Sequence, residues 1–134
     1  MDKELLSRAT KSIEKAYSPY SNYSVGAAVR TEDGTIYDGC NIENAAYGLT
    51  ICAERVALFK AISEGKTDIK EISIVIDDDI LPSPCGACRQ VISELAPNAK
   101  ITLATKDGLY EESEINELLP DAFKLKHGKV KDEK

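Results

Sequence analysis

Hydrophobic residues in the first third of the chain change from helical to strand-like spacing. Residues 3–16 place apolar side chains three and four positions apart among charged ones, which predicts an amphipathic helix. The turn-rich segment 17–24 ends this helix. Apolar runs at 24–31 and 35–43 flank the turn Glu-Asp-Gly and predict an antiparallel hairpin. The small residues of its first strand indicate that another element packs closely on it.

The rest of the chain alternates helical and strand-like segments. A broad apolar surface predicts a helix over about residues 51–64, with Thr50 as its N-terminal cap and Gly65 at its end. Beyond it we predict a central strand, a third helix, a strand followed by a turn and a short last strand, and a final helix capped by Ser113. These segments are residues 71–77, 85–96, 100–112 and 114–119.

This order of elements predicts the fold class. A hairpin followed by strands that alternate with helices requires a mixed sheet, because strands joined through a helix run parallel. We therefore predict an α/β fold, a three-layer α/β/α sandwich with about five strands. The length suits one domain over residues 1–123, and the lysine-rich residues 124–134 are predicted to form a poorly ordered tail.

The charge distribution narrows the classes of function. The 134 residues carry a net charge of -6, and the tail contributes +3, so the remainder carries -9. An acidic body argues against binding nucleic acid, which needs a basic surface. No apolar stretch is long enough to span a membrane, and the charged N-terminal segment lacks the apolar centre of a signal peptide. We therefore expect a cytoplasmic protein with reduced thiols.

Three of the four cysteines stand at the predicted starts of two helices. Cys85 and Cys88 share one face of a helix N-terminus, and Cys52 opens the other helix. Together they could hold one ion with three thiolates, which leaves the fourth position of a zinc site open for water. Glu54 could face that water and move its proton without binding the metal. Three thiolates and Zn²⁺ sum to -1, and Arg55 could offset that charge.

Other interpretations of these residues stay open at this point. A single Cys-x-x-Cys pair also occurs in structural zinc sites and in redox dithiols. Cys40 could complete a closed four-sulfur site, although we read it as a small buried strand residue. Cys52 could be an ordinary buried helix residue, and Arg55 an exposed one.

Longer motifs carry a resemblance to a known family. The segments are SPYSNYSVGAAV, GCNIENAAYGLTICAERVALFKAISEG, PCGACRQVISEL and INELLPDAF. The chain resembles the cytidine deaminases, a family of small homotetrameric zinc-dependent enzymes that deaminate nucleosides in pyrimidine salvage. The resemblance implies hydrolytic deamination of cytidine and deoxycytidine to uridine, deoxyuridine and ammonia. Hydroxide at the zinc would attack C4 of cytosine, with Glu54 as the proton shuttle.

The resemblance also implies roles for individual residues. Cys52, Cys85 and Cys88 would hold one Zn²⁺ per chain, with Arg55 beside their thiolates. Asn41 and Glu43 would hydrogen-bond the ribose, and Tyr23 would place an aromatic side chain against the base. The backbone of Ala53 would contact the base, and Phe123 would reach in from an adjacent subunit. Tyr47 would lie near an interface of the homotetramer, in which active sites are shared.

Four other functions share part of these sequence features. A blasticidin-type deaminase shares the zinc motifs, but the segment Asn-Ile-Glu-Asn at 41–44 favours cytidine. A deaminase of polynucleotides fits the acidic body poorly. A structural zinc module would need all four cysteines and would not depend on Glu54. A dithiol oxidoreductase would be free of metal and would oxidise readily at Cys85 and Cys88.

Overall fold

Four α-helices and five β-strands form the fold in the part of the chain that the structure, a computed structural model, describes. That part is residues 1–125. Most of the predicted lysine-rich tail, residues 126–134, lies outside it. In chain order the elements are α1 (Lys3–Ser12), β1 (Val25–Thr31), β2 (Ile36–Cys40), α2 (Ala53–Ser63), β3 (Ile69–Ile76), α3 (Gly86–Leu95), β4 (Lys100–Thr105), β5 (Tyr110–Glu114) and α4 (Ile115–Leu118).

The five strands form one mixed sheet in the order β2-β1-β3-β4-β5. The pair β3 and β4, which a helical crossover joins, is parallel. The other neighbours are antiparallel. Helix α1 packs on one face of the sheet, and α2 and α3 cover the opposite face. The predicted three-layer α/β/α sandwich is confirmed, and so is the short last strand.

Two glycines let helices approach the sheet closely, one on each face. A Cβ added at Gly26 would lie 2.0 Å from the carbonyl oxygen of Ala9 in α1. A Cβ added at Gly39 would lie 2.8 Å from the backbone nitrogen of Ala57 in α2. Real Cβ atoms do not come this close, so only glycine allows these contacts. The close packing predicted for the first strand is confirmed.

Several predicted boundaries were wrong. The first helix, predicted to residue 16, ends at Ser12 and tightens into a 3-10 turn over Ile13–Lys15. Strand β2 ends at Cys40 and does not continue to residue 43, because Ile42 leaves the hairpin and bridges both Tyr17 and Ile51. Thr50 does not cap α2, because its hydroxyl accepts the backbone N–H of Asn44.

The N-cap residue of α2 is instead Cys52. Helix α4 is capped by Glu114 and not by Ser113. Glu114 forms a reciprocal capping box with Glu117, and Ser113 belongs to β5. Within residues 1–125, no helix combines the length and apolar character that a membrane-spanning segment requires.

Candidate metal centre and active site

The three predicted ligands come together where helices α2 and α3 begin. Cys52 is the N-terminal cap residue of α2, and Cys85 that of α3. The sulfur atoms of Cys52, Cys85 and Cys88 lie within 4.8 Å of one another, and those of Cys52 and Cys85 are 3.9 Å apart. Both helix N-termini add partial positive charge, which favours thiolates. Three such sulfurs match the thiolate donors that zinc prefers.

Hydrogen bonding already favours a thiolate in this cluster. A hydrogen bond from Cys88, helped by Arg55, lowers the pKa of Cys52 to about 5. The same hydrogen bond, together with burial, raises the pKa of Cys88. Zinc binding therefore displaces at least one thiol proton, and affinity for the metal rises with pH.

Arg55 lies against the sulfur cluster, and its position suits a cluster of thiolates that holds a metal ion. Its Nη2 donates to the sulfur of Cys52 over 3.5 Å. Among residues 1–125 its buried Nε has no hydrogen-bond partner. A guanidinium can offset the charge of -1 that three thiolates and Zn²⁺ leave. The alternative of an ordinary exposed helix arginine does not agree with this placement.

Cys40 does not belong to the cluster. It ends β2, and the charged groups that affect its pKa are Lys60, Asp38 and Lys15. Burial raises the pKa of its thiol. Its side chain is partly exposed, so the prediction of a buried residue was only partly right. A closed four-sulfur site is therefore not formed.

Glu54 stands in the first turn of α2, two residues after Cys52. It is 4% exposed, and this burial raises the pKa of its carboxyl group. The thiolate of Cys52 raises it further. A carboxyl group that exchanges protons more readily near neutral pH is suited to general acid–base chemistry.

A cavity of about 340 Å³ opens beside this cluster. Its walls include Cys52, Cys85 and Glu54. They also include four of the predicted substrate residues, namely Tyr23, Asn41, Glu43 and Ala53. The structure therefore brings the metal ligands, the acid–base candidate and a space for a small molecule into one site.

Known protein families, curated proteins and solved structures include relatives of this chain. The family model for the cytidine and deoxycytidylate deaminase zinc-binding region matches residues 1–104. The chain belongs to this family. Cytidine deaminase of Sporosarcina psychrophila is 50% identical over 92% of each chain. The crystal structure of cytidine deaminase from Burkholderia pseudomallei has a TM-score of 0.88 at 44% identity, and the match covers 92% of this chain and 99% of that one.

Membership of the family and the sulfur cluster together establish zinc as the cofactor. The metal-free dithiol reading is thereby set aside. Blasticidin-S deaminase of Bacillus cereus is a more distant relative, 36% identical over 89% of each chain.

Asn41 and Glu43 both line the cavity and also hold the neighbouring backbone. The side-chain amide of Asn41 donates to the carbonyl of Tyr23 over 2.8 Å and accepts the N–H of Val25 over 3.0 Å. Glu43 accepts the N–H groups of Tyr20 and Ser21 over 2.9 and 3.2 Å. Both residues were predicted to belong to the strand over residues 35–43, but they follow the end of β2 at Cys40.

Sequence reasoning missed Arg89, which directly follows Cys88. Its guanidinium donates to the carbonyl of Pro84 over 2.7 Å, to the carbonyl of Leu118 over 2.6 Å and to the hydroxyl of Ser83 over 2.9 Å. Arg89 therefore fixes the two residues before Cys85. The only local signal was its position next to a ligand.

Two residues predicted to act between subunits lie away from this cavity. Phe123 is 69% exposed, and its carbonyl accepts a hydrogen bond from Gln90 over 3.1 Å. Tyr47 is 75% exposed and meets the ring of Tyr20 edge-on. Their roles in a neighbouring subunit stay predictions.

Proposed function

We propose that this chain is a cytidine deaminase that hydrolyses cytidine and deoxycytidine to uridine, deoxyuridine and ammonia. One observation carries the proposal: the buried carboxyl group of Glu54 shares a cavity with Cys52 and Cys85, two of the three clustered cysteines. Fifty per cent identity to a cytidine deaminase supports it.

In this proposal Cys52, Cys85 and Cys88 hold the zinc. The metal, when bound, supplies a Lewis acid that lowers the pKa of water to about 7. Glu54 takes one proton from the attacking water and gives it to N3 of the ring. It then moves the remaining proton of the new C4 hydroxyl to the amino group, so that the C4–N bond breaks, the C4 carbonyl forms and ammonia leaves. Burial of Glu54 matters for both steps, because a raised pKa lets the carboxyl group give the proton back.

The substrate residues act on the other side of the cavity. The ring of Tyr23 supports the base, and the backbone of Ala53 bonds its polar edge. Asn41 has one amide N–H beyond its two backbone bonds, which could donate to a sugar oxygen. Glu43, as a carboxylate, can only accept and therefore suits a sugar hydroxyl.

The test of this function is turnover of three substrates by the zinc-loaded protein. Cytidine and deoxycytidine should both be converted, seen as a change in ultraviolet absorbance and as released ammonia. Blasticidin S should be turned over far more slowly. Turnover of blasticidin S alone would favour the antibiotic deaminases, and no turnover of any substrate would contradict the proposal.

We also propose that the chain assembles into a homotetramer with shared active sites. Support comes from the large exposed fractions of Tyr47 and Phe123, and of Leu49 at 66%. Light scattering after gel filtration should give four times the chain mass. A monomer that is fully active would contradict shared sites.

A cytoplasmic location is proposed on chemical grounds. Zinc binding needs Cys52, Cys85 and Cys88 as thiolates, and the cytosol keeps thiols reduced. Fractionation of the source cells should place the activity with the cytosol; activity in an extracellular fraction would contradict this location.

A further inference from the structure

Ser21 lies where the loop of residues 18–24 meets Glu43. Its hydroxyl oxygen accepts the backbone N–H of Tyr23 over 3.0 Å and contacts Oε2 of Glu43 at hydrogen-bonding range. Asn22 makes this possible, because its φ of 57° turns the chain back on itself, a conformation that asparagine tolerates. Both Ser21 and Glu43 line the cavity.

The direction of the Ser21 hydrogen bond follows from the groups involved. A hydroxyl has one proton to donate, and the N–H of Tyr23 cannot receive it. An ionised carboxylate only accepts. The hydroxyl proton of Ser21 therefore points at Glu43, and the same bond holds the pKa of that carboxyl group below its usual value.

Counting the acceptor positions of Glu43 leaves one for a ligand. A carboxylate offers about four lone-pair directions, two on each oxygen. Oε1 accepts both backbone N–H groups, from Tyr20 and Ser21. Oε2 accepts the Ser21 hydroxyl. The three donors are all in one loop, so the remaining direction on Oε2 is fixed relative to the cavity.

We propose that Ser21 is a positioning residue that aims this one free acceptor of Glu43 at a single sugar hydroxyl of the nucleoside. This inference rests on the proposed function. Without the hydroxyl of Ser21, Oε2 loses its only hydrogen-bond partner among residues 1–125, and the carboxylate can rotate while its Oε1 bonds persist. Sugar binding is then weakened, whereas the chemistry at Glu54 is not touched.

Steady-state kinetics of Ser21→Ala and Ser21→Thr on the zinc-loaded protein test the proposal. With cytidine, Ser21→Ala should raise KM by about tenfold and leave kcat within about twofold, the scale of one hydrogen bond to a charged group. For 2′,3′-dideoxycytidine, which lacks the 2′ and 3′ hydroxyls of the sugar, Ser21→Ala should change KM little. Ser21→Thr keeps the hydroxyl and should restore KM for cytidine.

A double-mutant cycle shows whether Ser21 acts through Glu43. In a Glu43→Ala background the further change Ser21→Ala should have no effect on KM, because the group it positions is gone. Ser18→Ala is the matched control. It removes a hydroxyl bond to Ser24 within the same loop without touching Glu43, and KM should stay unchanged.

Several results would overturn the inference. The inference fails if the effects of Ser21→Ala and Glu43→Ala on KM are additive. It also fails if Ser21→Ala raises KM equally for dideoxycytidine, or if it lowers kcat without changing KM. An equal effect of Ser18→Ala would assign the change to loop stability. If the wild type turns over cytidine and Ser21→Ala matches it, only this inference fails. A wild type without turnover overturns the proposed function as well.

Discussion

Arg55 shows at the scale of a residue how the charge of the metal site is balanced. Its Nη2 donates to the sulfur of Cys52, which adds to the effect of Cys88 in lowering the pKa of that thiol and raises the pKa of the guanidinium. A lysine could supply the charge but not the planar set of donors. Both the charge and the shape of arginine are therefore used here.

Replacing Arg55 tests this role. Arg55→Ala should speed the loss of zinc to a chelator by about 10–100-fold, the usual effect of removing a partner of a metal ligand. Zinc release can be followed with a colorimetric metal indicator and compared with turnover. Arg55→Lys should fall between the wild type and Arg55→Ala; unchanged zinc release in both variants would show that Arg55 does not support the site.

At the scale of elements, Arg89 joins the start of α3 to the end of α4. It bonds Ser83 and Pro84 before the ligand Cys85, and Leu118 at the end of α4. These elements are far apart in sequence, and α4 adds little core of its own beyond Ile115. The position of Cys85 therefore depends on the C-terminal part of the domain.

Arg89→Ala should leave two backbone carbonyls without their present partner and loosen the segment that carries Cys85. We expect a loss of about 1–3 kcal/mol in the free energy of unfolding, measured by urea denaturation, together with faster zinc release. Gln90→Ala, on the same helix, removes a bond to Phe123 and should leave zinc release unchanged. Equal zinc release in both variants would contradict the link.

Helix α1 is fixed to the sheet through Asp2. This residue caps the helix by accepting the N–H of Leu5 over 3.0 Å and pairs with Arg30 of β1 over 2.7 Å. The hydrogen bond from Arg30 lowers the pKa of Asp2 to about 2. Because the pKa is lowered on folding, this contribution to stability is full above about pH 4 and is lost as the pH falls through about 2.

Asp2→Asn removes the ion pair with Arg30 but keeps the helix cap, since asparagine also caps helices. At pH 7 the free energy of unfolding should fall by about 1 kcal/mol. Urea midpoints at pH 7, 5 and 3 should show a constant difference at the first two and a smaller one at pH 3. A difference independent of pH would show that the carboxylate charge is not what stabilises α1.

At the scale of the whole molecule, the sequence predicted the elements better than their ends. Apolar patterns and turn residues predicted all nine elements and the mixed sheet, because burial and tight turns each leave a local signal in the sequence. The end of β2 could not be predicted, since Ile42 leaves the hairpin only because Tyr17 and Ile51 offer it partners. Such bridges depend on tertiary contacts that have no local signal.

The site divides in the same way. Helix geometry places Cys85 and Cys88 on one face, so this pair could be predicted from the chain alone. Cys52 lies 33 residues before Cys85, and its place in the same site, like the role of Glu54, was implied by the resemblance to zinc deaminases. The contact of Ser21 with Glu43 and that of Arg89 with Leu118 span 22 and 29 residues. No spacing rule indicates such pairs, and only the folded chain reveals them.

The most direct test of the central claim is cytidine turnover by the wild type and by Glu54→Gln at matched zinc content. Glutamine keeps the size of the side chain but cannot carry a proton. The account predicts that Glu54→Gln keeps its fold and about one zinc per chain while kcat falls by about a thousandfold or more. Turnover by Glu54→Gln at the wild-type rate would contradict the assignment of Glu54 as the proton shuttle.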